Sequence, residues 1–220
     1  MSLSFDSLPI VGYNDQPVSN TFITHPDPAN HLGVILPGYR YPAEMPPLHY
    51  ASRVLLDQGA DMLHVDYAYY RTDFNRQPED VQDKWISSDV LAACTAGLSR
   101  GSYEKITLIG KSLGTIAIGH LLADARFQRA SCIWMTPILS VGWLCKRIEE
   151  VRPQSLFIIG TADQFYEPDV LNRLEQATNG HSIVLDGVNH GLEVPDDIPK
   201  SLGALSQIVQ ALQEFTSQGG

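Results

Sequence analysis

The chain has 220 residues, 44% of them hydrophobic, and a formal net charge of −10 from 25 acidic and 15 basic residues. That length suits one large domain, 1–220, with a sizeable core. The acidic balance, with no basic cluster to offset it, argues against a nucleic-acid partner.

No apolar run approaches the roughly 20 residues needed to span a bilayer, and Met1 to Tyr13 has no basic, apolar leader. Cys94, Cys132 and Cys145 are odd in number and lie far apart without C-x-x-C spacing. A disulfide framework or a metal site is therefore not expected. Small core thiols in a cytoplasmic protein are.

In chain order, residues 5–25 read as a β-hairpin within a 1–30 N-terminal unit. Leu8 to Tyr13 and Val18 to Thr24 flank the turn-rich Asn14-Asp15-Gln16-Pro17. From His31 the pattern changes to short apolar runs separated by helical periodicity, an α/β core over 31–215. Leu32 to Leu36 is an apolar run ending at Pro37-Gly38, as for a strand covered on both faces. Residues 47–59 predict a helix with Tyr50, Val54 and Leu55 on one face and Gly59 as its stop. Asp61 to Tyr69 reads as a strand. Glu79 to Leu98 reads as a long amphipathic helix with Val81, Trp85, Val90, Leu91 and Cys94 inward.

Lys105 to Gly110 is the next strand and Leu113 to Leu122 the next helix. Ala130 to Met135 is a strand, and Ser140 to Glu150 a helix. Ser155 to Gly160 is a strand, Pro168 to Ala177 a helix, and Ser182 to Leu185 the last strand. A C-terminal helix over Lys200 to Phe215 places Leu202, Leu205, Ile208, Val209 and Leu212 at helical spacing. Alternating strands and helices imply a mainly parallel sheet with helices on both faces. The loops are short, and 139–151 is the one candidate for a small lid.

Between the strand ending at Gly110 and the next helix stands Gly110-Lys111-Ser112-Leu113-Gly114. A serine on so tight a strand-to-helix turn is pushed out at the top of a sheet. The flanking glycines suit a place where a Cβ would clash. By itself the pattern arises by chance in roughly one chain of this size in ten to twenty, so its context must decide. In an open parallel sheet ligands bind beyond the carboxyl ends of the strands. Ser112, Asp163 and His190 each follow an apolar run there, in that order.

A serine hydroxyl needs a base to become a nucleophile. His190 can take its proton, and Asp163 can orient the imidazole. Asp66, Asp186 and Glu193 are rivals for the acid, and His25, His31, His49, His64, His120 and His181 for the base. Two backbone N–H groups must meet the developing oxyanion. Leu113 N–H, at a helix start, is one candidate. Tyr39 N–H, after the first parallel strand, is the other. Arg40, Tyr67 and Tyr70 are candidate substrate contacts, and Arg40 suits a carboxylate. Lys111 reads as a strand-end lysine, with lining of the entrance as the alternative.

On these residues the sequence resembles the α/β-hydrolase family. The motifs that carry the resemblance are Gly110-Lys111-Ser112-Leu113-Gly114, Gly160-Thr161-Ala162-Asp163 and Asn189-His190-Gly191. The resemblance implies a three-layer α/β-hydrolase fold, an esterase, thioesterase or peptidase-like activity on a small soluble substrate, and no cofactor. It is similar to the small, lidless branch that includes dienelactone-hydrolase-like and carboxylesterase-like proteins. Pro37-Gly38 stands where many members have His-Gly, and Ser112 where dienelactone hydrolases have Cys. The rival from another class is a non-catalytic binding protein of the same fold. Geometry separates the two: an aligned Ser112–His190–Asp163 chain favours catalysis, and a displaced His190 favours binding.

Overall fold

The computed structural model describes residues 3–217. An eight-stranded sheet comprises β1 (Ser4–Asp6), β2 (Asn20–Thr24), β3 (His31–Leu36), β4 (Asp61–Val65), β5 (Lys105–Lys111), β6 (Ser131–Met135), β7 (Ser155–Gly160) and β8 (His181–Leu185). Their spatial order is β1-β2-β4-β3-β5-β6-β7-β8. β1 and β2 pair antiparallel, as do β2 and β4; every other neighbour is parallel. The six helices are α1 (Pro46–Asp57), α2 (Glu79–Leu98), α3 (Leu113–Leu121), α4 (Gly142–Val151), α5 (Pro168–Thr178) and α6 (Ile198–Ser217). The expected three-layer α/β fold is formed. Residues 1–2 and 218–220 of the expected 1–220 unit lie outside the described residues.

The central parallel strands are mostly apolar because both faces are covered, whereas β8, at the edge, is only partly buried. Strand alternation sends Leu32, Val34 and Leu36 to one core and Ile35 to the other. β7 divides likewise, Phe157 and Ile159 against Leu156 and Ile158. The first core takes side chains of α2, α3, α4 and α5, and the second takes those of α1 and α6. Full burial of such a side chain stabilises by about 1.5–3 kcal/mol, so each layer is held independently of the site.

Several details differ from the sequence reading. The N-terminal antiparallel pair forms, but its first strand is Ser4–Asp6, not Leu8 to Tyr13. Residues 13–15 make a 3-10 turn instead, with Asn14 at φ 49° and Asp15 at φ 57°. Asp89 captures this segment, accepting Tyr13 N–H at 2.7 Å and the Tyr69 hydroxyl at 2.9 Å. A carboxylate on a helix decides the local path, which strand periodicity does not register. β4 stops at Val65 rather than Tyr69, and Tyr69–Arg71 form a 3-10 turn. Tyr50, Leu91 and Leu202, read as inward, are exposed. In α1 Val54 and Leu55 are buried as expected, together with Leu48, Ala51 and Leu56.

The three cysteines are free and buried. Burial raises the thiol of Cys94 to about 12 and that of Cys132 higher still. The segment 139–151 forms α4, which buries Leu144, Cys145 and Ile148 and packs on α3 at Gly119 through Trp143 and Leu144. Among the described residues, no helix is long and apolar enough to cross a membrane.

Candidate active site

The chain leaves β3 for β4 on one side and returns through β5 on the other. The carboxyl ends of β3 and β5 therefore flank a topological switch point, where open α/β sheets bind ligands. Ser112 stands there, between β5 and α3, at φ 52° and ψ −112°. An L-residue rarely adopts that backbone, and the cost is of order 1–3 kcal/mol. The surroundings hold it in place: Ser112 N–H donates to Met135 O at 2.9 Å, and Thr115 N–H donates to Ser112 O at 2.8 Å. A Cβ on Gly114 would collide with Leu36 O, and one on Gly110 with Gly114 O. The two glycines of the motif let α3 press against β3 and β5.

Asp163 follows β7, and His190 follows β8. A Cβ on Gly160 would strike Val188 O, so this glycine lets the two loops touch. Ala162 N–H then donates to Val188 O at 3.0 Å. Asn189 shapes the His190 turn, its side-chain oxygen accepting Gly191 N–H at 2.8 Å.

The three expected side chains meet. His190 Nδ1 lies 2.9 and 3.0 Å from the two Asp163 carboxylate oxygens, and its Nε2 lies 2.8 Å from Ser112 Oγ. With the imidazole proton on Nδ1, that nitrogen donates to Asp163 and Nε2 accepts the serine hydroxyl. The Asp163 side chain is fully buried, while that of His190 is 29% exposed. Asp163 also accepts Phe165 N–H at 2.9 Å. The Phe165 ring stands edge-on to the imidazole, centroids 5.1 Å apart.

Several rival acids and bases are engaged outside this line, although Asp66 borders the cavity beside it. Asp186 accepts from Thr161 at 3.3 Å. His31 is bonded to Thr107, His64 to Ser52 and His120 to Asp83. Burial lowers His31 and His64 to about 4, so both are neutral near pH 7.

Leu113 is the first residue of α3, where an N–H has no partner within its own helix. Tyr39 lies in the turn after β3. Tyr41 N–H donates to Gly38 O at 3.1 Å, which leaves Tyr39 N–H outside the turn's own bonding. The loop is close to the serine: a Cβ on Gly38 would stand 3.5 Å from Ser112 Cβ. Beside it opens a cavity of about 410 Å³, lined by Gly38, Arg40, Tyr41, Asp66, Tyr67 and Tyr70 among others. All three candidate substrate contacts, Arg40, Tyr67 and Tyr70, are on its wall. The Tyr67 hydroxyl is already used, donating to Pro37 O at 2.8 Å.

Lys111 ends β5, as the sequence suggests, but its burial was not expected. It is 2% exposed, neither at the surface nor at an entrance. Its Nζ donates to His190 O at 2.8 Å and to Thr136 Oγ1 at 3.2 Å. It also lies 4.2 Å from the centroid of the Tyr41 ring. Burial lowers the ammonium to about 8, and the Asp163 charge opposes that shift. The one signal was its place, a lysine closing an apolar strand immediately before Ser112. Phe165 had no such signal.

No protein-family model matches the chain, and neither does any curated protein sequence. Solved structures do. An esterase of Pyrococcus furiosus superposes with a TM-score of 0.73 at 14% identity, over 98% of this chain and 93% of its own. A dienelactone hydrolase of Anabaena variabilis gives 0.72 at 16% identity, over 99% of both chains. A member of the α/β serine hydrolases without a lid from Xanthomonas campestris gives 0.71 at 16% identity, over 98% and 94%. The fold of this chain is the α/β-hydrolase fold.

Proposed function

We propose that the chain is a serine hydrolase that cleaves a small soluble ester or thioester by acyl transfer. The observation that carries this reading is the hydrogen-bonded line from Asp163 through His190 to Ser112, at 2.9 and 2.8 Å. It ends on a serine held at φ 52°.

In this mechanism Ser112 Oγ attacks the substrate carbonyl as its proton passes to His190 Nε2. Asp163 keeps the Nδ1 proton in place and stabilises the imidazolium. Leu113 and Tyr39 N–H groups receive the oxyanion, where the start of α3 adds a favourable field. His190 then returns the proton to the leaving alcohol or thiol. A water activated by the same imidazole releases the acid from Ser112.

Arg40, Tyr67 and Tyr70 form the wall of the substrate cavity. The docking of α4 on α3 supports an open site without a cover from residues 139–151. The names of the similar structures, an esterase and serine hydrolases among them, agree with this chemistry.

A fluorophosphonate probe tests the assignment. It is expected to label native protein at Ser112, to fail after heat denaturation and to fail with Ser112→Ala. Labelling that persists in Ser112→Ala would refute it.

A further inference from the structure

We infer that Lys111 is a positioning residue: with Tyr41 it clamps two consecutive carbonyls, those of His190 and Gly191, and so fixes the imidazole over Ser112. Lys111 Nζ donates to His190 O at 2.8 Å, and the Tyr41 hydroxyl donates to Gly191 O at 3.1 Å. The two clamping groups are themselves in contact, Nζ lying 4.2 Å from the Tyr41 ring centroid. A cation over an aromatic face is attracted by the ring quadrupole, more strongly where the site is desolvated.

The clamp joins three separate strand ends. Tyr41 comes from the loop after β3, Lys111 is the last residue of β5, and the two carbonyls belong to the loop after β8. That last loop carries the only member of the triad that must both accept and return a proton. Its side chain is partly open to solvent and its backbone is in an irregular turn, so packing alone fixes it weakly.

The fourth contact is Thr136, at the end of β6. Thr136 is fully buried with φ 45°, a conformation that is a genuine outlier for a β-branched residue. It presents its Oγ1 to Lys111 Nζ. Two adjacent strands thus end in backbones that cost free energy, and Lys111 lies between them. Such strain persists where the surroundings over-determine it, and it gathers at functional sites.

A buried ammonium is costly unless paired, so a lysine here needs a reason that a methionine would not supply. The charged and titratable groups around it are Asp163 from the loop after β7, His190 from the loop after β8 and Tyr41 from the loop after β3. Glu193 lies behind Tyr41, where it and burial hold the phenol protonated. Asp163 is the negative charge that keeps Lys111 protonated. Loss of the lysine proton leaves an amine, a weaker donor to His190 O, and leaves the Asp163 charge unopposed.

The clamp rests on the hydrolase reading, and the experiment separates the two. Steady-state hydrolysis of p-nitrophenyl acetate is measured from acid to alkaline pH for wild type, Lys111→Met, Tyr41→Phe and Ser112→Ala. Lys111→Met is expected to lose about tenfold or more in kcat with KM little changed, as for a misplaced catalytic group. Wild-type kcat is expected to fall above about pH 8, and Lys111→Met to lack that falling limb. Tyr41→Phe keeps the ring over Nζ and loses only the Gly191 bond. It is expected to keep the limb with a kcat lowered about threefold or more.

Wild-type kcat in folded Lys111→Met, or an unchanged limb in that variant, overturns the clamp while Ser112→Ala stays inactive. If Lys111→Met does not fold by circular dichroism, Tyr41→Phe decides, and wild-type kcat there overturns the clamp. Full activity in Ser112→Ala overturns the hydrolase reading and the clamp with it.

Discussion

The two ends of the parallel sheet hold clefts of similar size and opposite character. At the amino ends of the strands a cleft of about 380 Å³ is lined by His31, Lys105, Thr107, Arg129 and Gln154 among others. Several of its polar groups are paired locally: His31 with Thr107, Ser131 with Gln154, Gln58 with Thr216. Positive φ occurs near that end too, at Arg152 and Asn179, but both are left-handed caps that close α4 and α5. At the carboxyl ends positive φ occurs in the loops at Arg40 and Leu192, and also at Ser112, whose ψ of −112° is outside the left-handed helical well, and at the β-branched Thr136. Buried charges, Asp163 and Lys111, are there as well. Cavity size does not distinguish the two ends. Unfavourable local choices held in place by their neighbours do, and these mark function.

The contrast can be broken at either end. The largest effect is expected from Ser112→Ala, which should lower kcat for p-nitrophenyl acetate by about 10⁴-fold or more, with folding intact by circular dichroism. Asp163→Asn comes next. It leaves the volume unchanged but favours the wrong imidazole tautomer, and should cost about 10³–10⁴ in kcat.

Gly114→Ala tests the packing that makes the turn. Its new Cβ meets the carbonyl oxygen of Leu36, so urea denaturation should show a loss of about 3 kcal/mol or more. A stability within error of wild type would mean that α3 can shift, and that the turn is less constrained than it looks.

The next prediction concerns pH. The Lys111 ammonium is held at about 8 in the folded chain against an ordinary value of 10.5. Between those values the folded chain has released a proton that the unfolded chain keeps, so this residue adds stability as pH rises. Relative to Lys111→Met, wild type should gain up to about 1.4 kcal/mol per pH unit over that window and nothing below it. Urea denaturation of both proteins across the window gives the difference directly. Stability would then rise where the falling limb of activity begins.

The smallest effect belongs to the other cleft. Arg129→Ala should leave kcat within about twofold, as a surface change far from the reacting groups. A large loss there would undo the distinction between the ends.

The order and type of the core elements were legible in the sequence because parallel strands covered on both faces leave unbroken apolar runs. Leu32 to Leu36 and Ser155 to Gly160 are such runs. The meeting of Ser112, Asp163 and His190 was legible for a related reason: each stands shortly beyond the carboxyl end of a strand, in an order that suits the chemistry. What was lost depends on contacts distant in sequence. The strand expected at Leu8 to Tyr13 gave way to a turn held by Asp89, 76 residues away from Tyr13. The burial of Lys111 was missed because a lysine after an apolar run usually reaches water. Only the loops after β3 and β8, folded over it, make it a buried cation.

The buried thiols have a practical consequence. Cys94 and Cys132 sit on α2 and β6 with no exposed surface, and their thiolates are suppressed by burial. A thiol reagent reaches them only when those elements open. Cys132 pairs across to Leu108 on β5, the strand that delivers Ser112. The rate at which a reagent modifies Cys132 therefore clocks the opening of the strand pair beneath Ser112, with no reporter group introduced.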